Sequence, residues 1–257
     1  MRLIFGLIFA VAIGLSLGLI GGGGSILAVP ILRYVMGIEA REAIAQSLFI
    51  VGFVSIIGMI PHWRQGNVNL PVALSFIPPA MIGAFYGAKI TELPFITDTI
   101  QLVAFGVVML MASIFMIRKS QKGAKKVDQP SDIAKNRTKQ IIFTIIQGLI
   151  VGVLTGFVGV GGGFLIIPAL VLVGGIPMKQ AVGTSLLIIA SNSTSALLGY
   201  LSSGVDMNWG VTIGLTGAAS VGIILGAWLS KKIDPQYLQK GFGFFVLAVA
   251  IFVLIVR

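Results

Sequence analysis

Apolar stretches separated by short polar segments run along the whole chain of 257 residues. The longer stretches reach the ~20 residues that a helix needs to cross the hydrocarbon core of a bilayer. They fall at residues 3–20, 26–36, 44–61, 70–90, 95–117, 139–158, 164–175, 181–201, 208–230 and 236–256. The pattern therefore predicts an all-α integral membrane protein.

Composition supports this interpretation. Hydrophobic residues make up 56% of the chain and charged residues only 10%, with a mean hydropathy of +1.03, whereas soluble domains carry about 25% charged residues. The absence of cysteine excludes disulfides, thiol catalysis and thiolate metal sites. A single histidine, His62, excludes a multi-histidine metal site. We therefore expect a multi-pass protein of the cytoplasmic membrane with no metal, no cofactor and no catalytic residue.

A basic segment divides the chain. The net charge is +10, and eight of the 18 Lys and Arg residues lie between Arg118 and Lys139. Positive charge of this kind marks cytoplasmic loops and attracts anionic lipids, so we do not expect a nucleic-acid partner. The predicted organisation is a first membrane repeat at 1–117, a basic cytoplasmic connector at 118–139 and a second membrane repeat at 140–257.

The second repeat is a copy of the first, displaced by 138 positions. A duplicated bundle is the usual build of a secondary transporter, whose site lies where the repeats meet. Although Met1 and Arg2 precede an apolar run as in a secretory signal, this run recurs in the second repeat, so we expect it to stay in the mature protein. The matching pairs include Gly14 and Gly152, Gly18 and Gly156, Pro30 and Pro168, Ser47 and Ser185, Ser55 and Ser193, and, after a shift of one residue, Gly83 and Gly222.

Each repeat contains a run of glycines inside an apolar stretch, at 21–24 and at 159–163. Glycine continues a helix poorly, so these runs must break it and leave backbone N–H groups without helical partners. In a membrane, such groups are tolerated only where they are buried in protein or line a polar cavity. We therefore predict that a small polar ligand binds where the two breaks meet.

Segment length predicts how the chain passes each break. As one helix, residues 3–37 would be about 50 Å long, too long for one passage of a ~30 Å core and too short for two. A hairpin that turns at the glycines fits better. Each half then consists of a Gly-broken hairpin and three spanning helices, which makes the second half inverted. This topology also places more of the Lys and Arg residues on the connector side than four plain crossings would.

With its duplicated glycine breaks, the trailing Pro30 and Pro168, the stretch Ala181–Leu186 (AVGTSL) and the basic connector, the chain resembles the TauE/SafE-type sulfite exporter family of membrane permeases. The resemblance covers nearly the whole chain. It implies movement of a small sulfur-containing anion, such as sulfite, thiosulfate or an organosulfonate, usually outward. The first half departs from the motif, because Gln46 stands where the second half has Thr184.

An oxyanion at the breaks would find two kinds of donor. Ser25 and Phe164 open short helices, whose N-termini attract anions, and neutral side chains supply further hydrogen bonds. The opposing interpretation is that membrane Ser and Thr bond their own backbone and that glycines four apart only pack helices. The candidate substrate-binding residues are Gly21, Gly22, Gly23, Gly24, Ser25, Gln46, Ser47, Gly159, Gly161, Gly162, Gly163, Phe164, Thr184, Ser185 and Asn192.

Four functions stay open at this point. The first is a secondary permease for small oxyanions that works by alternating access, and the second is an anion channel. An intramembrane enzyme is disfavoured because no apolar stretch contains clustered Asp, Glu, His or Cys, and a membrane scaffold is the fourth. All eight acids lie at segment edges or in loops, which argues against a cation site. His62 lies beside Trp63, which predicts a place in the interfacial aromatic belt.

Overall fold

The computed structural model describes residues 2–91, 93–121, 137–158, 163–173 and 175–256. In these ranges all regular secondary structure is helical, joined by turns and loops, and there are no strands. The helices of the first half are α1 Arg2–Ile20, α2 Ser25–Pro30, α3 Ala40–Arg64, α4 Leu70–Ile90 and α5 Asp98–Gln121. Those of the second half are α6 Arg137–Val158, α7 Gly163–Pro168, α8 Met178–Ser202, α9 Trp209–Ser230 and α10 Pro235–Val256.

Each predicted apolar stretch coincides with a helix, which confirms an all-α, multi-pass membrane protein. By length and composition, α3, α4, α8 and α9 can each cross a bilayer. The first glycine run interrupts the helix as predicted: Gly21 has φ 72°, and a 3₁₀ turn at Gly22–Gly24 follows. α2 opens at Ser25 and α7 at Gly163, one residue before Phe164. Both short helices continue as π-helical turns, at Ile31–Val35 and Ala169–Val173.

The closest packing joins helices from different halves, α1 with α9 and α4 with α6. Two glycines of α1 lie at the first of these contacts. A methyl group on Gly14 would collide with the Ala219 carbonyl, and one on Gly18 with the Ile223 carbonyl. Since the contact moves toward the C-terminus on both helices together, α1 and α9 run parallel.

α4 and α6 repeat this arrangement. A methyl group on Gly152 would collide with the Ala80 carbonyl, and one on Gly156 with the Ala84 carbonyl, so these helices also run parallel. Because α6 and α9 occupy the positions in the second half that α1 and α4 occupy in the first, the two contacts are equivalent. For Gly152 and Gly156, which lie four apart, the predicted packing role is confirmed.

α3 and α8, the most buried of the four long spans, form the centre of the bundle and run antiparallel. A β-carbon on Gly52 would lie 3.0 Å from Ser193 Cβ, and one on Gly58 would lie 3.5 Å from Leu186 Cδ1. Further along α3, the Cβ of His62 lies 3.1 Å from the place of a β-carbon on Gly183. Contacts that advance along α3 therefore retreat along α8.

These directions define the two faces of the bundle. We call the end where α3 and α9 end and α4, α6 and α8 begin the connector face, because the predicted connector leads into α6. Residues 122–136 of that connector lie outside the described residues. At the other end, the opposite face, α3 and α9 begin and α4 and α8 end, as the hydrogen bond from Arg41 Nη2 to the Thr91 carbonyl illustrates.

Candidate functional site

The two glycine breaks meet inside the bundle. A methyl group on Gly22 would collide with the Gly163 carbonyl, and one on Gly163 with the Gly22 α-carbon. Gly21 has the positive φ that favours glycine, and a β-carbon there would lie 2.8 Å from Ser185 Oγ and 3.2 Å from Val182 Cα. The structure thus brings the first break against the second and against α8.

The structure describes some of the other predicted site residues near the breaks and not others. Gly23 lies in the 3₁₀ turn, and Gly24 packs against the carbonyl of Ile13 on α1. Phe164 is the second residue of α7. The other three predicted glycines, Gly159, Gly161 and Gly162, lie outside the described residues.

The three predicted serines donate to their own backbone. Ser25 Oγ donates to the Gly22 carbonyl at 2.7 Å, Ser47 Oγ to the Ile44 carbonyl at 2.8 Å and Ser185 Oγ to the Val182 carbonyl at 2.8 Å. All three side chains are buried. In this conformation a ligand would meet their oxygen lone pairs, and a hydroxyl would have to rotate before it could donate to an anion.

Thr184 and Gln46 take part in contacts between the halves. The backbone N–H of Asn69, the residue that caps α4, donates to Thr184 Oγ1 at 2.8 Å. At the equivalent place, the backbone N–H of Asn208 donates to Glu42 Oε1 at 3.1 Å, and Gln46 Nε2 donates to the same oxygen at 2.8 Å. The two half-sites are therefore built from different side chains, as the sequence predicted.

Asn192 is buried without hydrogen bonds. It is 1% exposed, and neither its amide nitrogen nor its amide oxygen has a partner. On α8 it lies one turn beyond Ile189 and two turns beyond Ser185, the two side chains that contact the breaks. An unpaired buried amide costs about 1–3 kcal/mol, so this side chain is available for a ligand or for water.

Two neighbouring hydroxyls share this condition. Ser193 and its counterpart Ser55 are fully buried, and neither hydroxyl has a partner. A β-carbon on Gly52 would touch Ser193 Cβ, which places Ser193 at the crossing of α3 and α8. The centre of the bundle therefore contains unpaired polar groups on both sides of the contact between the halves.

An open cavity of about 310 Å³ lies at the connector face. We call it the basic cavity, since two lysines line it and none of its lining residues is acidic. Leu19 lies two residues before Gly21, and the α-carbon of Val182 lies 3.2 Å from the place of a β-carbon on Gly21, so the cavity lies close to the first glycine break. Two ammonium groups in a cleft without an acidic lining residue attract anions. The lining residues are Leu19, His62, Gln65, Asn67, Lys179, Val182, Ser230 and Lys231.

The His62 side chain is more buried within the protein than the sequence predicted. The side chain is 3% exposed, and Nε2 lies 3.4 Å from the Gly18 carbonyl oxygen, whereas neighbouring Trp63 is 47% exposed. The expectation of an interfacial histidine was therefore wrong: adjacent helical positions differ by about 100°, so Trp63 can face outward while His62 faces the core.

Within the described part of the chain, no group of three or more His, Cys, Asp or Glu could hold a metal ion.

Sequence reasoning missed Lys179 and Lys231 as site residues. Each follows or begins an apolar helix and looks like an ordinary interfacial lysine. Lys179 lies in the first turn of α8 and Lys231 directly after α9, and only the packing of these helix ends against α3 brings the two side chains to one cavity. A usable signal was the presence of polar side chains at helix ends that the predicted topology places on the connector side.

Comparison with known proteins places the chain in a family. A protein named "Probable membrane transporter protein" from Xylella fastidiosa (strain Temecula1) is 34% identical over 94% of this chain and 91% of its own length. YdhB of Bacillus subtilis, also described as a probable membrane transporter protein, is 28% identical over 93% of this chain and 94% of its own length. No solved structure gives a significant match. The family model described as "Sulfite exporter TauE/SafE" matches residues 6–253, and the chain therefore belongs to the TauE/SafE sulfite exporter family.

Proposed function

We propose that this protein is a secondary transporter that moves a small sulfur-containing oxyanion, such as sulfite, thiosulfate or an organosulfonate, across the cytoplasmic membrane. The observation that carries the proposal is the basic cavity, because it holds two lysines above Leu19 and Val182, close to the first glycine break. The family description supports a sulfur anion as the substrate.

In this mechanism, the anion enters the basic cavity under the attraction of Lys179 and Lys231 and binds beside the first break. Since Gly22 and Gly163 touch each other, the anion binds in the basic cavity beside Leu19 and Val182 rather than between the breaks. Amide and hydroxyl groups, among them the unpaired Asn192, then hold it further inside. Neutral donors suit a ligand that must leave again, because a fully buried cation would bind it more tightly.

We propose further that the two halves are inverted and work by alternating access. The antiparallel contact of α3 with α8 supports this, because corresponding helices of inverted halves cross the membrane in opposite directions. The hairpins support it too, since α1 and α3 both begin on the opposite face, so that α1 and α2 together make no net crossing. The same ligand site can then be reached from one face or the other.

The test is transport by purified protein in proteoliposomes. We expect saturable uptake of thiosulfate or sulfite and counter-flow, in which unlabelled anion inside the vesicles accelerates the entry of labelled anion. Counter-flow requires a carrier. A flux that rises in proportion to anion concentration, without saturation and without counter-flow, would indicate the anion channel instead. The proposal would be refuted if the protein moved no sulfur oxyanion or sulfonate while a cooperative thermal unfolding transition showed that it was folded.

A further inference from the structure

His62 and Tyr200 occupy the same position in the two halves, 138 residues apart. His62 Nε2 lies 3.4 Å from the Gly18 carbonyl oxygen, and the Tyr200 hydroxyl donates to the carbonyl of Gly156, the counterpart of Gly18, at 3.3 Å. The two contacts are therefore equivalent, but their surroundings differ. Both side chains are buried, at 3% exposed for His62 and 1% for Tyr200, but His62 lines the basic cavity whereas Tyr200 is held by hydrogen bonds with Gln101 and Gly156.

The other residues of the basic cavity also have counterparts on the opposite face. These counterparts form a closed cluster instead of a cavity. Tyr200 receives a hydrogen bond of 3.2 Å from Gln101 Nε2, which also donates to the Phe157 carbonyl at 2.8 Å. The pairs of cavity residue and counterpart include Leu19 and Phe157, His62 and Tyr200, Lys179 and Arg41, Val182 and Ile44, and, after the shift of one residue, Ser230 and Thr91 as well as Lys231 and Glu92.

A charged side chain completes the cluster. Arg41 Nη2 donates to the Thr91 carbonyl at 2.6 Å, tying the start of α3 to the end of α4. Arg41 is the counterpart of Lys179, so both faces carry a cation at the same place. On the connector face this cation lines an open cavity, and on the opposite face it is engaged by a backbone carbonyl. The second lysine of the cavity, Lys231, has the acidic Glu92 as its counterpart, so the two faces differ in charge as well as in conformation.

We propose that Arg41, Thr91, Gln101 and Tyr200 form a second oxyanion vestibule, which is shut in this conformation and opens on the opposite face when the basic cavity closes. Opening would break the bonds from Gln101 to Tyr200 and to the Phe157 carbonyl. It would also release the guanidinium of Arg41, whose planar fork suits the oxygens of a sulfonate or sulfite. The nature of the ligand rests on the proposed sulfur substrate, whereas the paired opening and closing rests only on the proposed alternating access.

The paired movement can be tested without any substrate, because the chain has no native cysteine. Thr91→Cys reports on the closed cluster and Ser230→Cys, at the counterpart position, on the basic cavity. Each is combined with Tyr200→Phe plus Gln101→Leu, which weaken the closed cluster. The matched control is Tyr86→Phe, since Tyr86 is 62% exposed on α4. The measurement is the rate of labelling by a membrane-impermeant maleimide.

We expect Tyr200→Phe plus Gln101→Leu to make the Thr91→Cys thiol label several-fold faster and the Ser230→Cys thiol several-fold slower, with no change for Tyr86→Phe. Faster labelling at both positions would mean local loosening and would overturn the inference, as would unchanged rates. Reciprocal rates in a protein that moves no sulfur anion would leave the inference standing and refute the proposed substrate instead.

A second measurement tests the ligand. In vesicles of known orientation, Arg41→Gln should raise the KM about tenfold for anion offered at the opposite face and leave the KM at the connector face unchanged. Lys179→Gln should have the reverse effect. Equal effects of Arg41→Gln on both faces would mean that Arg41 supports the fold and does not line a vestibule.

Discussion

The backbone N–H of Asn69 donates to the hydroxyl oxygen of Thr184 at 2.8 Å, across the boundary between the two halves. The start of α4 is thus held by a side chain of the second half. Thr184→Val keeps the shape and removes the acceptor, so we expect a loss of about 1 kcal/mol in the free energy of unfolding. Thr194→Val, at an exposed hydroxyl that bonds its own helix, is the control. Equal unfolding temperatures for the two variants would contradict this role.

The basic cavity predicts which lysines matter for the anion. Lys179→Gln and Lys231→Gln should each raise KM about tenfold, because a hydrogen bond to a charged group is worth about 1.5–3 kcal/mol and about 1.4 kcal/mol is a factor of ten. Lys232→Gln is the control, since Lys232 instead stacks its ammonium 4.1 Å from the Trp228 ring. An increase of the same size for Lys232→Gln would show that only the overall charge of the face counts.

The contact between α1 and α9 predicts a contrast between two glycines of one helix. Gly222→Ala would drive a methyl group into the Val11 carbonyl, while a β-carbon on Gly217 meets nothing within 4 Å. We expect Gly222→Ala to cost about 1–3 kcal/mol, as overpacking does, and Gly217→Ala to be neutral or stabilising, as alanine favours a helix. Thermal unfolding in detergent measures both, and similar values would mean that the helices separate easily.

Asn192 predicts a separation of stability from transport. Asn192→Leu removes two unpaired buried groups, so we expect the unfolding temperature to stay constant or rise while counter-flow is lost. Ser195→Ala makes the comparison, because its hydroxyl donates to the Met81 carbonyl at 2.7 Å and its loss should destabilise by about 1 kcal/mol. Full counter-flow in Asn192→Leu would remove this amide from the mechanism.

Inversion of the halves predicts the sidedness of the chain. Cysteines introduced near both ends, at Ile4 and Ile255, should react with impermeant reagent from outside the cell, and one at residue 125 should react only from inside. The prediction follows from an odd number of crossings in each half. Labelling of both ends from inside would contradict the hairpins and the inverted arrangement together.

The sequence predicted well the features that depend on neighbouring residues. Span lengths follow from bilayer thickness, and a break follows from consecutive glycines, so α2 begins at Ser25 as expected. The packing glycines could be recognised because a spacing of four places them on one helix face. Their partners could not be named, since nothing local shows that Gly14 meets Ala219 and not some other carbonyl.

The site was only partly predictable for the same reason. The meeting of the breaks followed from the duplication, but the basic cavity depends on four helix ends that are distant in the chain, those of α1, α3, α8 and α9. The hydroxyls of Ser47 and Ser185 had two equally good directions, and only the folded helix shows that they turn to their own backbone. Tyr200 gave no signal either, because its importance lies in being the counterpart of His62.

The glycine contacts have a consequence for how the protein is assembled. α1 finds its closest neighbour in α9, and α4 finds its own in α6, so each duplicated half lacks the surface that covers its glycines. Expressed by itself, either half would present lipid with a narrow groove of exposed carbonyls that hydrocarbon cannot fill. The sequence repeat divides the chain into two halves, but the closest helix contacts all cross between those halves. We therefore expect neither half to fold stably without the other.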